Sequence, residues 1–185
     1  MENAINLSEQ ELNELKYPTG KLTWESEYTD EVIDGLIRHI EAFPIMLNEV
    51  AQSLKESDLV YSYRPGGWNI RQIIHHLADS HSNGFIRNKL ALTENNPTIK
   101  PYDENAFAAL PDTAKMPIDA SVFVINGIHA RWSYLLRSMK AEEFKRTYFH
   151  PENQKTWAIS SLLSIYAWHG KHHVGQIKVA MERKF

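Results

Sequence analysis

The sequence contains no cysteine. Disulfides, thiolate nucleophiles and cysteine-ligated zinc are therefore excluded. Any metal has to be held by histidine, aspartate or glutamate. Positive charge is not in excess: 20 Lys and Arg stand against 23 Asp and Glu, a formal net charge of -3. That balance gives no basic footprint for nucleic acid, and no nucleic-acid partner is expected. No stretch reaches the roughly 18 consecutive apolar residues of a membrane span, so no membrane partner is expected either. No positively charged leader precedes an apolar run, and the cytoplasm is the default location. Internal repeats, sustained period-two strands and glycine-rich phosphate loops are also missing.

What is present is a chain of 185 residues, 43% of them hydrophobic. That supports one sizeable core and hardly two, so the expectation is a single domain over residues 1–185. Residues 1–25 are polar and carry the turn signal Tyr17-Pro18-Thr19-Gly20. They read as an arm lying on the domain. Apolar residues at helical spacing then begin near Thr29, from Val32 and Ile33 to Val50 and Leu54. Pro44 inside this segment predicts a kink or local break, because it removes a backbone donor and crowds the preceding turn. Arg64-Pro65-Gly66-Gly67 is a firm break.

A second helix is predicted over about Asn69–Thr93, a third over Asp119–Met139 and a fourth over Ser160–Glu182. Residues 94–116, with Pro97, Pro101 and Pro111, form a connection long enough to cover a site. Residues 144–158 fit a short hairpin or an irregular loop. Four helical segments with long crossover connections imply an all-α four-helix bundle.

The nine histidines are many for this length, and they cluster at 75, 76 and 81 and at 169, 172 and 173. At about 100° per residue, His169 and His173 nearly superimpose on one face of the last helix. That face is otherwise apolar, with Leu162, Tyr166, Ile177 and Ala180 on or near it. Side chains four apart can converge on one ion. A third ligand has to come from another helix, and His76 at the edge of the Ile73–Leu77–Gly84 stripe is the preferred one. His75 projects to the opposite side, where solvent is expected. His81 borders the stripe and is a weaker ligand candidate. His172 points to a flank, as a neighbour of the ligands or an exposed group.

Three neutral imidazoles with an open position match a catalytic metal set, which lowers the pKa of bound water toward roughly 7. The ordinary alternative for one histidine on an apolar stripe is a hydrogen-bonded core residue. The HxxxH spacing lacks the HExxH glutamate, so a zincin is not supported.

Other polar groups are placed by their helix faces. Asp79, on the flank near His76, could orient an imidazole or act as base. Asn83 and Arg87 share that side, and Arg87 fits either an anionic substrate or a surface ion pair. His129 and Arg131 flank the inner face of the third helix, with Trp132 in the core. Trp68 is expected to anchor a helix start, and Trp168 to pack behind the ligand pair. Tyr102-Asp103 could close over the metal or face solvent.

The segments KYPTG, RPGGWNIRQIIHHLADSHSNGFIRNKLALTE, PYDENAF, HARWSYLLR, YFHP and YAWHGKHHVGQI resemble, in order and spacing, the DinB/YfiT-like superfamily. The likeness is to its YfiT-like branch, assigned as metal-dependent hydrolases. It covers nearly the whole chain. It implies a four-helix bundle, often a homodimer, and a metal triad at His76, His169 and His173. It also implies one divalent ion per subunit, zinc first and nickel second. Lys171 stands where relatives can have histidine and should face away from the metal.

Two catalytic readings follow. In the first, the chain is a hydrolase with metal-activated water and Asp79 as base. In the second, it is an S-transferase for a low-molecular-weight thiol such as bacillithiol or glutathione, with Arg87 receiving a carboxylate. A third reading is a non-catalytic, metal-stabilised bundle. A small-molecule substrate is expected for either enzyme.

Overall fold

The computed structural model describes residues 7–185. The long helices are α2 (Asp30–Ser53), α3 (Ile70–Thr93), α6 (Asp119–Ser138) and α7 (Ile159–Arg183). Short helices α1 (Glu9–Lys16), α4 (Glu104–Ala108) and α5 (Pro111–Lys115) lie between or before them. A hairpin pairs β1 (Thr147–His150) with β2 (Lys155–Ala158), in a register that sets Tyr148 opposite Trp157.

The helix ends follow local chemistry. Thr29 caps α2 by accepting from the Val32 N–H, and Asp30 and Glu31 sit in the positive first turn. Asn69 begins α3 with a reciprocal box: its side chain accepts from Gln72 N–H at 2.9 Å while its own N–H donates to Gln72 Oε1 at 3.1 Å. In α2 the buried residues Ile33, Ile37, Ile40, Phe43 and Leu47 repeat at helical spacing and form the inward stripe. Val122, Ile125, Trp132 and Leu136 do the same on α6. Full burial of each such side chain contributes roughly 1.5–3 kcal/mol.

The helices pack as a ring in which α2 touches α6 and α7, and α3 touches the same two. Consecutive α2 and α3 therefore stand on a diagonal, as do α6 and α7. The crossover connections follow from this arrangement. α2 continues unbroken through Pro44, so the local break allowed by the sequence does not occur.

Two apolar clusters fill the bundle. One gathers around Trp132, Leu162, Tyr166 and Ile37. The other gathers around Ile70, Ile74, Leu77, Ile125 and Ile177. Buried histidines lie where they meet: His81 packs on Phe43 of one and Tyr166 of the other, and His129 on Phe43 and Trp132.

The arm expected over residues 1–25 is described from residue 7; residues 1–6 lie outside the described part. It holds the unanticipated helix α1, which packs on α7. The 94–116 connection is not bare loop either. It contains α4 and α5, which pack on α3, and its residues 97–99 bond alongside β1 through Phe149. No helix of the described residues is long and apolar enough to cross a membrane.

Candidate metal centre

His169 and His173 leave α7 one turn apart, and His76 reaches them from α3. Ring centroids are 4.5 Å apart for the α7 pair, 5.2 Å for His76–His169 and 4.9 Å for His76–His173. One ring nitrogen from each of the three lies within 4.8 Å of the others. His76 Nε2 and His169 Nε2 are 3.2 Å apart. Two nitrogens about 2.0–2.1 Å from a tetrahedral zinc would be roughly 3.3 Å apart, so the spacing fits an ion.

The outward nitrogens fit it too. His173 Nδ1–H donates to Gln176 Oε1 at 2.9 Å. Gln176 Nε2 donates to the Lys16 carbonyl at 3.0 Å, which settles which end of the amide is oxygen. His169 Nδ1 lies 3.1 Å from His81 Nε2. Both rings are thus held from behind, leaving Nε2 for a ligand.

Burial keeps the set uncharged. It pushes His76 down to about 4, helped by nearby His172. It holds His169 and His173 well below the usual histidine range, with repulsion from neighbouring rings adding to it. Neutral imidazole is the form that ligates.

A cavity of about 290 Å³ opens beside His173, lined among others by Trp68, Tyr63, Arg64, Lys16, Tyr17 and Asn105. Trp68 does more than anchor a helix start. Its ring lies 4.6 Å from that of His76 and 6.4 Å from that of His173, so it walls the site. A larger cleft of about 610 Å³, near Tyr28, Ile37 and Phe144, contains none of the three histidines.

His75 does not face solvent; it is 5% exposed, with Nδ1 2.7 Å from Ser121 Oγ and Nε2 3.1 Å from the Met116 carbonyl. The connection after α3 folds back over that face and covers it. His172 is not exposed: it stacks on Trp168 at 4.3 Å and accepts from Gln176 Nε2 at 3.0 Å. Its buried Nδ1 has no partner among the described residues. His81 is fully buried and lies outside the converging trio, between His169 and His129. From the 101–107 segment it is Asn105 that reaches the cavity; Tyr102 packs on Phe107, and Asp103 caps α4.

Asp79 is half-buried, its carboxyl pushed up by burial and by Asp112. The bonds that orient His169 and His173 come from His81 and Gln176. Arg87 lies near Tyr166, Glu104 and His150, and its buried Nε has no partner among the described residues. Asn83 bonds back to its own helix at the Asp79 carbonyl. Trp168 sits by His172 and donates to the Gly20 carbonyl, tying the arm down. Lys171 points away, to His39. Gln176 was legible three residues after His173, and its role was missed.

The family model of the DinB superfamily matches residues 39–177. The chain belongs to the DinB superfamily. A Bacillus cereus relative (strain 03BB102) is 44% identical over 172 residues, covering 93% of this chain and 98% of that one. A Bacillus anthracis relative is 43% identical over the same length. Both carry the provisional name metal-dependent hydrolase. The solved structure of YfiT from Bacillus subtilis is described as a probable metal-dependent hydrolase with an unusual four-helix bundle topology. It matches with a TM-score of 0.88 at 37% identity, covering 92% of this chain and 97% of that one. A mycothiol-dependent maleylpyruvate isomerase shares the fold alone, with a TM-score of 0.64 at 15% identity over 78% of this chain and 60% of that one.

Proposed function

We propose that this DinB-superfamily chain is a metal-dependent hydrolase whose ion is held by His76, His169 and His173. The observation that carries the reading is the convergence of three neutral imidazole nitrogens, two of them with the opposite nitrogen already engaged. A divalent ion bound there supplies Lewis acidity toward a scissile bond and toward water. Zinc suits an all-imidazole set, and nickel is the second choice. One ion per subunit, a homodimer and a cytoplasmic setting complete the proposal.

The residues around the ligands would receive a small molecule. Trp68 and Tyr63 offer apolar walls, and Arg64 and Lys16 offer positive charge at the cavity. Asp79, about one turn of α3 beyond His76, is proposed as the base. Arg87, whose buried Nε has no partner among the described residues, is proposed to bind an anionic group of a longer substrate.

The cationic lining favours a second reading, S-transfer from a low-molecular-weight thiol bearing carboxylates. The chain has no cysteine, so the thiol would come from the cosubstrate. Metal-loaded and metal-stripped protein should be assayed on ester and amide panels, and on a bimane electrophile with and without added thiol. Metal-dependent turnover without thiol supports the hydrolase. Turnover only with thiol supports the transferase. Inactivity of loaded protein on both panels leaves the non-catalytic bundle.

A further inference from the structure

Pro44 has no N–H, so the helix bond that would reach the Ile40 carbonyl cannot form. That carbonyl is buried in the bundle and still needs a donor. His129 of α6 provides it: Nδ1 lies 2.7 Å from Ile40 O. A carbonyl only accepts, so the proton is on His129 Nδ1.

The ring next to it is then constrained. His129 sits against Phe43 and Trp132 at 1% exposure, where an imidazolium is costly, so the ring carries one proton and Nε2 is a bare lone pair. His81 Nδ1 lies 2.8 Å from that lone pair and has to donate to it. His81 is fully buried between Phe43 and Tyr166, so it too carries one proton, and its Nε2 is bare. His169 Nδ1, 3.1 Å from His81 Nε2, donates in turn. The last ring is left with its proton on Nδ1 and its lone pair on Nε2, the atom 3.2 Å from His76 Nε2. The low proton affinities that burial gives His81 and His129 agree with single protonation.

We propose that His81 and His129, anchored on the carbonyl that Pro44 frees, are positioning residues that hold His169 in the one tautomer able to ligate through Nε2. The chain of bonds ends on a carbonyl, which takes up no proton, so it orients the ring and does not conduct protons out of the site. It draws on α2, α6, α3 and α7 in turn, so every helix of the bundle contributes to setting one ligand. For its functional meaning the proposal rests on the metal reading above.

The test separates the two. Metal-free full-length chain labelled with 15N-histidine should give long-range proton–nitrogen spectra in which His129, His81 and His169 all carry the proton on Nδ1. An Nε2–H form for any of the three overturns the proposal, whatever the metal does, and this measurement needs no variant to fold. Zinc affinity is then read by competition with a chelating dye, and wild-type protein that takes up no zinc sinks the metal reading alone. His81→Leu should weaken binding roughly 10- to 100-fold, the usual effect of removing a ligand's hydrogen-bond partner. His81→Gln should retain most of the affinity, since its amide accepts at one end and donates at the other. A folded His81→Leu protein that holds zinc like wild type overturns the proposal. His129→Leu should move the His81 and His169 nitrogens toward a mixture of tautomers; unchanged spectra overturn it as well.

Discussion

Adding one methyl group at Gly84 should damage both the fold and the metal centre. A Cβ there would lie 2.3 Å from Tyr166 Cζ, 2.5 Å from Cε2 and 2.8 Å from the hydroxyl oxygen. The ring has nowhere to go. It is 4% exposed, its hydroxyl donates to the Ser80 carbonyl at 2.8 Å, and it packs on Trp132 and His81. Overpacking costs about 1–3 kcal/mol, and a buried hydroxyl stripped of its partner about 1–3 kcal/mol more. Alanine recovers about 1 kcal/mol of helix propensity. The net expectation is a loss of about 3 kcal/mol, or roughly 6–12 °C in Tm at this chain length. Gly127 is the control: it lies in α6 with nothing among the described residues within 4 Å of its would-be Cβ. Gly127→Ala should raise stability by about 0.5–1 kcal/mol. Thermal melts of metal-free protein followed by circular dichroism give both signs. Zinc titration should also show weaker binding in Gly84→Ala, because Tyr166 packs on His169 at 5.8 Å. If the two variants melt together, Tyr166 yields to the added methyl and the packing between α3 and α7 is loose.

Acid should unfold the metal-free protein early. His129 titrates near 4 in the folded chain against an ordinary 6.5, so the unfolded chain binds the extra proton first as pH falls. The His129 contribution therefore falls from about pH 6.5 to about pH 4, by roughly 3 kcal/mol, and His81, His169 and His173, held lower still, extend the loss to more acid pH, which urea melts at stepped pH would measure. Zinc at 100 times its Kd should add about 2.7 kcal/mol of stability. His76→Ala, His169→Ala and His173→Ala should each abolish that increment, read as the zinc-dependent shift in Tm. Arg137 pairs with Glu41 and Asp34 on half-exposed surface. Its alanine variant should cost less than about 1 kcal/mol, and a larger loss in denaturant melts would mean that pair is structural. Asn69→Ala should cost about 1 kcal/mol by removing the α3 cap, checked in the same melts.

The long helices were legible because their apolar spacing is strong and their ends carry ordinary signals: Thr29, Asn69 and the Arg64–Gly67 break. The triad was legible because His169 and His173 share a face and His76 sits at the edge of another. What surrounds that triad was harder. A helical projection gives the direction of His75 but not what folds over it, and α4 and α5 were hidden in a proline-rich connection. His81 and His129 were visible as histidines near an apolar stripe. That they bond to each other depends on how α3 and α6 meet, which periodicity does not encode. Pro44 read as a disturbance to α2, while the need it creates at Ile40 is answered 89 residues later in the sequence.

The diagonal placement of successive long helices bears on how the chain comes to be folded. A nascent α2 followed by α3 has no neighbour to clasp, since each packs chiefly on α6 and α7. Apolar stripes such as Ile33–Leu47 must therefore wait, uncovered, until distant segments have been made, and closing such long loops slows assembly. Synthesis from the amino terminus would favour a late, concerted collapse, with His169 and His173 made after the other three long helices.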